Sequence, residues 1–223
     1  VTTHTLGLSA TMNRKDGLTK VFKQFLGDVV HKEKRDNDTS VLVKAVEFNT
    51  CDEEFNEVKL DYRGNPQYSS MITKLCNFNH RSELILSIII NELKINDNQQ
   101  IMILAHNKSL LTYLYKAIDF RKIASVGYYV GGMKQQDLKI SETKKIVIAT
   151  YSMASEGLDI KSLTTLILAT PKTEIEQAVG RIMRVKHNNP LIIDIIDAHD
   201  IFKIEQSNSI DNLSIGKCLI SIS

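Results

Sequence analysis

Short apolar runs alternate with helical patterns through the second half of the sequence, and this alternation constrains the fold more than any other feature. The runs are rich in β-branched side chains and almost continuously apolar, which is typical of strands buried on both faces of a parallel sheet. They cover residues 101–105, 126–130, 145–150, 165–169 and 191–196. The sequence therefore predicts an α/β fold, a three-layer sandwich with a mostly parallel sheet.

Helical patterns fill the gaps between the predicted strands. Leu111, Leu114 and Ile118 recur on one helical face, and Asn107 or Ser109 is suited to cap that helix. Further helices are predicted over residues 67–75, 81–93 and 174–184.

Upstream of these elements the pattern is less regular. Residues 31–40 are charged and turn-prone, which is typical of a linker between two lobes. Residues 41–48 are predicted to form the first strand after that linker. Residues 62–66, with the sequence YRGNP, carry the Gly, Asn and Pro of a turn.

Composition excludes several classes of protein. Apolar residues make up 43% and charged residues 24% of the 223 residues, as in ordinary globular domains. No uninterrupted apolar run is long enough to span a membrane. The net charge of +2 gives no global field that would indicate nucleic acid, although a local basic surface stays open. The cysteines Cys51, Cys76 and Cys218 are odd in number and far apart, which predicts a reducing compartment, cytoplasmic or nuclear.

Two arginines near the end of residues 145–184 predict contact with phosphate. Arg181 and Arg184 lie one helical turn apart on the predicted helix 174–184, so their guanidinium forks face the same side. A phosphate-binding loop of the form G-x-x-x-x-G-K-[ST] is missing from the sequence. The nearest approach runs from Gly127 to Gly132, and Met133 then precedes the lysine.

Four segments occur in the order of the motifs of a known enzyme family. LSAT at residues 8–11 resembles motif III, ILAHN at 103–107 motif IV, ATYSMASEGLDI at 149–160 motif V, and QAVGRIMR at 177–184 motif VI. The chain thus resembles the C-terminal half of a superfamily 2 helicase or translocase, most closely those of large DNA viruses and phages. The resemblance implies that residues 1–40 are the end of a first RecA-like lobe plus a linker. Residues 41–204 would be the second RecA-like lobe, and residues 205–223 a tail of uncertain structure.

The resemblance also implies roles for individual residues. Arg181 and Arg184 would act as arginine fingers on charge that develops in the transition state, and Gln177 would face the γ-phosphate and the attacking water. Gly157, Asp159 and Gly180 would approach the nucleotide. Contacts with the nucleic-acid backbone are implied for His106, Asn107, Thr150 and Ser152. Ser9 and Thr11 would couple nucleotide state to lobe movement, and no residue is assigned to a metal.

The chain is expected to be the C-terminal lobe of an ATP-dependent nucleic-acid helicase or translocase. Because its sequence contains no phosphate-binding loop, we expect it to be inactive alone. The implied cofactors are ATP and Mg²⁺, bound mainly by the first lobe. The implied partners are DNA or RNA, as a single strand or a duplex end, and the first RecA-like lobe of the same protein, with no membrane. The alternative is a stand-alone module that binds nucleic acid or a partner without ATPase activity. A small-molecule enzyme of the doubly wound class is disfavoured because no G-x-G-x-x-G turn is present.

The segment DIIDAHD at residues 194–200 raises a separate question, because three aspartates and a histidine could suggest a two-metal site. No partner ligands from other strands are apparent. We therefore interpret the segment as the exit of the last strand followed by a capped helix start.

Overall fold

The computed structural model describes residues 5–7, 18–31, 41–156, 160–172, 175, 179, 190–202 and 217–222. Contacts between Cα atoms divide the chain into two units, Val1–Asp38 and Thr39–Ser223. The first unit contains helix α1 (Thr19–Leu26), whose apolar side chains Val21, Phe22 and Phe25 are exposed. Among the helices that the structure describes, none combines the length and apolar character needed to cross a bilayer.

The described part of the second unit is built on one seven-stranded sheet in which all neighbouring strands are parallel. The strands are β1 (Leu42–Phe48), β2 (Gln100–Ala105), β3 (Val126–Tyr129), β4 (Ile146–Thr150), β5 (Leu163–Leu168), β6 (Leu191–Asp197) and β7 (Lys217–Ile222). Their order across the sheet is β3-β4-β2-β5-β6-β1-β7. The helices are α2 (Glu53–Asn56), α3 (Tyr68–Asn77), α4 (Asn79–Ile95), α5 (Lys108–Phe120), α6 (Gln135–Glu142) and α7 (Tyr151–Glu156).

Two hydrophobic cores cover the two faces of the sheet, because successive side chains of a strand point to opposite faces. On β2, Ile101 and Ile103 pack with apolar residues of α3, α4 and α5, whereas Met102 and Leu104 pack with those of α6 and α7. Every residue of β2 is buried. The predicted three-layer α/β sandwich is thereby confirmed.

Local signals in the sequence explain where the elements begin and end. Asn107 caps α5, since its Oδ1 accepts a hydrogen bond from the Ser109 amide at 2.9 Å. On β3, a Cβ at Gly127 would come within 2.9 Å of Ser141, so the glycine lets α6 approach the strand closely. The six predicted strands all form, with ends that differ by no more than a few residues.

Residues 206–223, whose sequence pattern leaves both a tail and a short strand open, contain a strand. β7 pairs in parallel with the outer side of β1, where Val43 lies opposite Lys217 and Phe48 opposite Ile222. Part of the tail, residues 217–222, therefore extends the sheet by one edge strand.

Candidate functional site

The carboxyl ends of the central strands bring several candidate residues together. In the sheet register Ala105 of β2 lies opposite Thr150 of β4, so the residues that follow the two strands leave the sheet side by side. His106 and Asn107 follow β2, and Tyr151 and Ser152 follow β4. In open parallel sheets, ligands bind at this edge.

His106 is exposed, but its backbone and ring are both held in place. Its amide donates to Thr170 Oγ1 at 3.1 Å, and its Nε2 lies 3.0 Å from the carbonyl oxygen of Pro171. Because that carbonyl can only accept, Nε2 carries the proton in this bond. The imidazole also packs at 4.9 Å, centroid to centroid, against the ring of Tyr151. The ring is therefore preoriented at the edge of the sheet.

Asn107 uses part of its side chain to cap α5, as the sequence predicted for Asn107 or Ser109. Its side-chain oxygen already accepts the Ser109 amide, so this N–H of the first turn is occupied. The Ser109 hydroxyl lies 3.4 Å from Asn77 Oδ1 at the end of α3. Any contact that Asn107 makes with a ligand would use the N–H donors of its side-chain amide, which remain available.

Thr150 and Ser152 present two hydroxyls at the end of β4. Their oxygens lie 3.2 Å apart, with Thr150 half-buried and Ser152 exposed. Between them, Tyr151 is buried and anchors the turn, because its hydroxyl donates to the carbonyl oxygen of Thr170 at 2.5 Å. Burial, reinforced by the nearby Asp194, raises the pKa of the Tyr151 hydroxyl, so it stays protonated as a donor. Ser152 is therefore exposed at this edge, with the Thr150 hydroxyl within hydrogen-bond distance of its own.

Sequence reasoning missed the residues that tie this edge together, Thr170 and Pro171, which follow β5. Their backbone and side-chain oxygens receive hydrogen bonds from His106, from Tyr151 and, at 3.3 Å, from the hydroxyl of Tyr68 on α3. We call this pair the Thr170–Pro171 corner. The only local signal for it is a polar residue, Thr170, shortly after a buried strand, and the backbone oxygens that accept these hydrogen bonds leave no trace in the sequence.

An open cavity of about 420 Å³ lies beside the corner, between α3 and the start of α5. It is lined by Tyr68, Ser69, Ile72, His106, Asn107 and Lys108. Lys172, after the corner, holds its ammonium 6.0 Å from the centroid of the Tyr151 ring. Two lysines, Lys108 and Lys172, thus give this edge the positive charge that the net composition did not reveal.

The end of β6 is closed by an ion pair. Arg81 at the start of α4 donates to both oxygens of Asp197, at 2.6 and 2.7 Å, and both side chains are fully buried. Burial alone would lower the pKa of the Arg81 guanidinium, but the charge and hydrogen bonds of Asp197 raise it above its ordinary value. Burial also lowers the pKa of His199 and raises that of the Cys76 thiol to about 11. Within the described residues, no three acidic, histidine or cysteine side chains gather as metal ligands.

The remaining site predictions lie outside the described residues. These are the candidates for nucleotide contact and coupling: Gln177, Gly180, Arg181, Arg184, Gly157, Asp159, Ser9 and Thr11.

Comparison with known families agrees with this architecture. Residues 82–186 match the family described as helicase conserved C-terminal domain. The match includes the segments that resemble motifs IV, V and VI, and it agrees with the resemblance of the chain to the C-terminal lobe of superfamily 2 helicases and translocases.

Several proteins that are similar to the chain come from viruses and phages. It is 38% identical over 216 residues to a putative ATP-dependent RNA helicase of Acanthamoeba polyphaga mimivirus, covering 93% of this chain and 41% of that protein. It is 25% identical over 203 residues to a probable helicase of Escherichia phage T5, covering 86% and 42%. The structure of S. cerevisiae Dbp5 bound to RNA and ADP BeF3 shares its fold, with a TM-score of 0.60 at 13% identity, over 96% of this chain and 50% of Dbp5. The chain therefore spans about two fifths of the length of these two curated relatives.

Proposed function

We propose that this chain is the lobe of an ATP-dependent helicase or translocase that holds the nucleic-acid strand at the carboxyl ends of β2 and β4. The observation that carries the proposal is the pairing of Ala105 with Thr150, which sets two polar strand ends side by side. The proposed contacts are His106, Asn107, Thr150 and Ser152.

The chemistry of this edge suits a phosphate backbone. Hydroxyl and amide donors can bind phosphate oxygens without reading base sequence, and Lys108 and Lys172 add charge near them. Such contacts position a strand and make its binding dependent on salt. Both curated relatives are named as helicases, and the mimivirus protein as an RNA helicase, so we include RNA as well as DNA among the substrates.

The proposed nucleotide contacts come from the segment around residue 180. The described residues Ile175 and Val179 are both buried, and the Val179 amide donates to the Ile175 carbonyl at 2.9 Å, as in a helical turn. The assignment of Gln177, Arg181 and Arg184, which lie outside the described residues, to the nucleotide rests on the resemblance of their segment to motif VI.

ATP would supply the phosphoryl group, and with Mg²⁺ it would be held mainly by a first RecA-like lobe. Arg181 and Arg184 would donate hydrogen bonds to the charge that develops in the transition state. Gly157, Asp159 and Gly180 would lie against the nucleotide. Ser9 and Thr11 would link nucleotide state to movement between the lobes.

Replacement of one arginine tests the catalytic part of this proposal. Arg184→Ala, in protein that also carries a phosphate-binding lobe, should leave nucleotide binding intact but lower ATP turnover by about 10³-fold or more, as for arginine fingers. Turnover is measured with saturating nucleic acid, and nucleotide binding by titration with a fluorescent analogue. Lys116→Ala, which removes an exposed cation of α5, is the matched control. Unchanged turnover in Arg184→Ala would defeat the assignment.

A further inference from the structure

The loop between α2 and α3 is held by its own hydrogen bonds, and it lies before the part of the chain that matches the helicase family. The loop spans residues 59–67, and we call it the Tyr62 loop. Its two sides are joined by backbone bonds from Gln67 to Lys59 at 2.8 Å and from Asp61 to Asn65 at 2.8 Å. A single bridge pairs Leu60 with Pro66.

The tip of the Tyr62 loop is locked by one carboxylate and one glycine. Asp61 Oδ1 accepts the amides of Arg63 at 2.8 Å and Asn65 at 2.9 Å. These backbone bonds, led by that of Asn65, lower the pKa of the Asp61 carboxyl. Gly64 has a φ of 82°, a conformation that other residues rarely adopt. The tip is therefore ordered before any ligand arrives, and binding to it would cost little conformational entropy.

This ordered tip presents an aromatic ring and a cation to the outside. Tyr62 is 87% exposed, and the Arg63 guanidinium carbon lies 5.0 Å from its ring centroid. Asp61, the nearest carboxylate in sequence, is engaged with the backbone, and Arg63 forms no ion pair with any described residue. An exposed ring beside an arginine is the combination on which unpaired nucleic-acid bases stack.

The base of the Tyr62 loop opens into a groove that leads to the candidate site. One cavity, of about 490 Å³, is lined by Lys59 and Leu60 of the loop and by Ser70, Thr73 and Lys74 of α3. Ser69 lines both this cavity and the 420 Å³ cavity beside His106 and Lys108. We call the two together the α3 groove. The two cavities adjoin at Ser69, one beside the Tyr62 loop and the other beside the end of β2.

The polar groups of the α3 groove suit an anionic backbone. Lys59 and Lys74 lie in its outer part and Lys108 in its inner part, with the hydroxyls of α3 between them. Glu57 moderates the outer charge, since its carboxylate pairs with Lys59 at 2.7 Å and its carbonyl accepts from Lys74. The groove therefore offers phosphate contacts of moderate strength along its length, and the strongest single feature is the stacking surface at its end.

We propose that the bound nucleic-acid strand, after crossing the end of β2, continues through the α3 groove and stacks an unpaired base on Tyr62. The inference rests on the proposed function, because the same strand occupies both regions. The Tyr62 loop then lengthens the footprint of the lobe beyond the family's matched segment and favours single-stranded over fully paired nucleic acid.

Oligonucleotides of two lengths test this proposal separately from the function. Fluorescence anisotropy is measured with a short labelled homopolymer that covers only the ends of β2 and β4, and with one about three times longer. The longer strand should bind more tightly. Tyr62→Ala should weaken only the longer strand, by about 5- to 100-fold, as expected for the loss of one stacked base. Tyr62→Phe should retain most of the affinity, because it keeps the ring.

The controls separate the possible outcomes. Phe120→Ala removes an aromatic side chain that is 88% exposed at the end of α5 and should change neither affinity. If both strands bind but Tyr62→Ala weakens neither, or weakens both equally, the extended path is wrong and the site at β2 and β4 stands. If the longer strand gains nothing over the shorter one in the unsubstituted protein, the Tyr62 loop does not contact the strand and the inference fails. If neither strand binds, the proposed function itself fails.

Discussion

The ends of β4 and β6 carry polar residues at the same edge of one sheet, and the fold treats them in opposite ways. At β4, Thr150 and Ser152 hold their hydroxyls 3.2 Å apart, and Ser152 is open to solvent. At β6, Asp197 is fully buried and both its oxygens are taken by Arg81. A polar residue at a strand end is thus a candidate for ligand binding where it stays accessible to solvent, and not where it is buried in an ion pair.

The closed end of β6 depends on compensation between charges. A buried carboxylate is costly unless it is paired and hydrogen-bonded, and the two-pronged contact from Arg81 provides both. The compensation is incomplete within the described residues, where Arg81 Nη1 and His199 Nε2 are buried without a hydrogen-bond partner. We therefore assign Arg81 and Asp197 to the stability of the lobe and not to metal or ligand binding.

Removal of Arg81 should produce the largest effect on stability. Arg81→Met leaves the Asp197 carboxylate buried without its partner, and such a change typically lowers the free energy of unfolding by about 3–5 kcal/mol. Urea unfolding followed by circular dichroism measures the loss. The folded fraction of Arg81→Met should still bind oligonucleotide with the affinity of the unsubstituted protein.

A double substitution sharpens the test of Arg81. Arg81→Met combined with Asp197→Leu removes both charges, so it should recover much of the stability lost in the single variant. A single variant as stable as the unsubstituted protein would contradict the structural role. Loss of strand binding in a folded double variant would instead connect the β6 end to the ligand site.

Substitution at the open end of β4 should have the opposite profile. Thr150→Val and Ser152→Ala each remove one hydroxyl donor, so each should weaken oligonucleotide binding by about 1 kcal/mol, or roughly 5-fold. The free energy of unfolding should change little, since neither hydroxyl is fully buried. Binding is measured by anisotropy and stability by urea unfolding.

The control for the β4 variants is Ser87→Ala on the exposed side of α4. Its hydroxyl donates to the Leu84 carbonyl at 2.7 Å. Like the hydroxyls of Thr150 and Ser152 it makes a local hydrogen bond, but it lies on α4 and not at the end of β4. Affinity should not change. If Thr150→Val and Ser152→Ala bind the oligonucleotide as tightly as the unsubstituted protein does, the end of β4 is not part of the proposed interface.

The contrast between the two strand ends also marks what the sequence could predict. The first six strands along the chain and the Asn107 cap come from local patterns of apolar and capping residues, and the sequence located them to within a few positions. The Arg81–Asp197 pair joins residues 116 positions apart, and no local pattern carries such a contact. The Thr170–Pro171 corner acts largely through backbone oxygens, which every residue possesses, so residue type gives little indication of it.

A second arginine fork, on the outside of α4, should give the smallest effect. Arg121 donates to both oxygens of Glu83 at 2.7 and 2.8 Å, and Tyr113 donates to the same carboxylate at 2.7 Å. These hydrogen bonds, with that of Arg121 the strongest, lower the pKa of Glu83 to about 2. The geometry resembles that of Arg81 and Asp197, but both side chains are 43% exposed, so solvent screens most of the attraction.

Glu83→Gln should therefore lower the free energy of unfolding by only about 0.5 kcal/mol at neutral pH, the range of exposed pairs. Because the folded-state pKa is depressed, the contribution is fully present above the ordinary carboxyl pKa of about 4.3 and is lost as pH falls toward 2. Urea unfolding from pH 7 to pH 3 should show the gap between Glu83→Gln and the unsubstituted protein closing with acid. Glu47→Gln, at an exposed position of β1, serves as the control. A loss as large as that in Arg81→Met would mean that fork geometry, and not burial, sets the strength of these pairs.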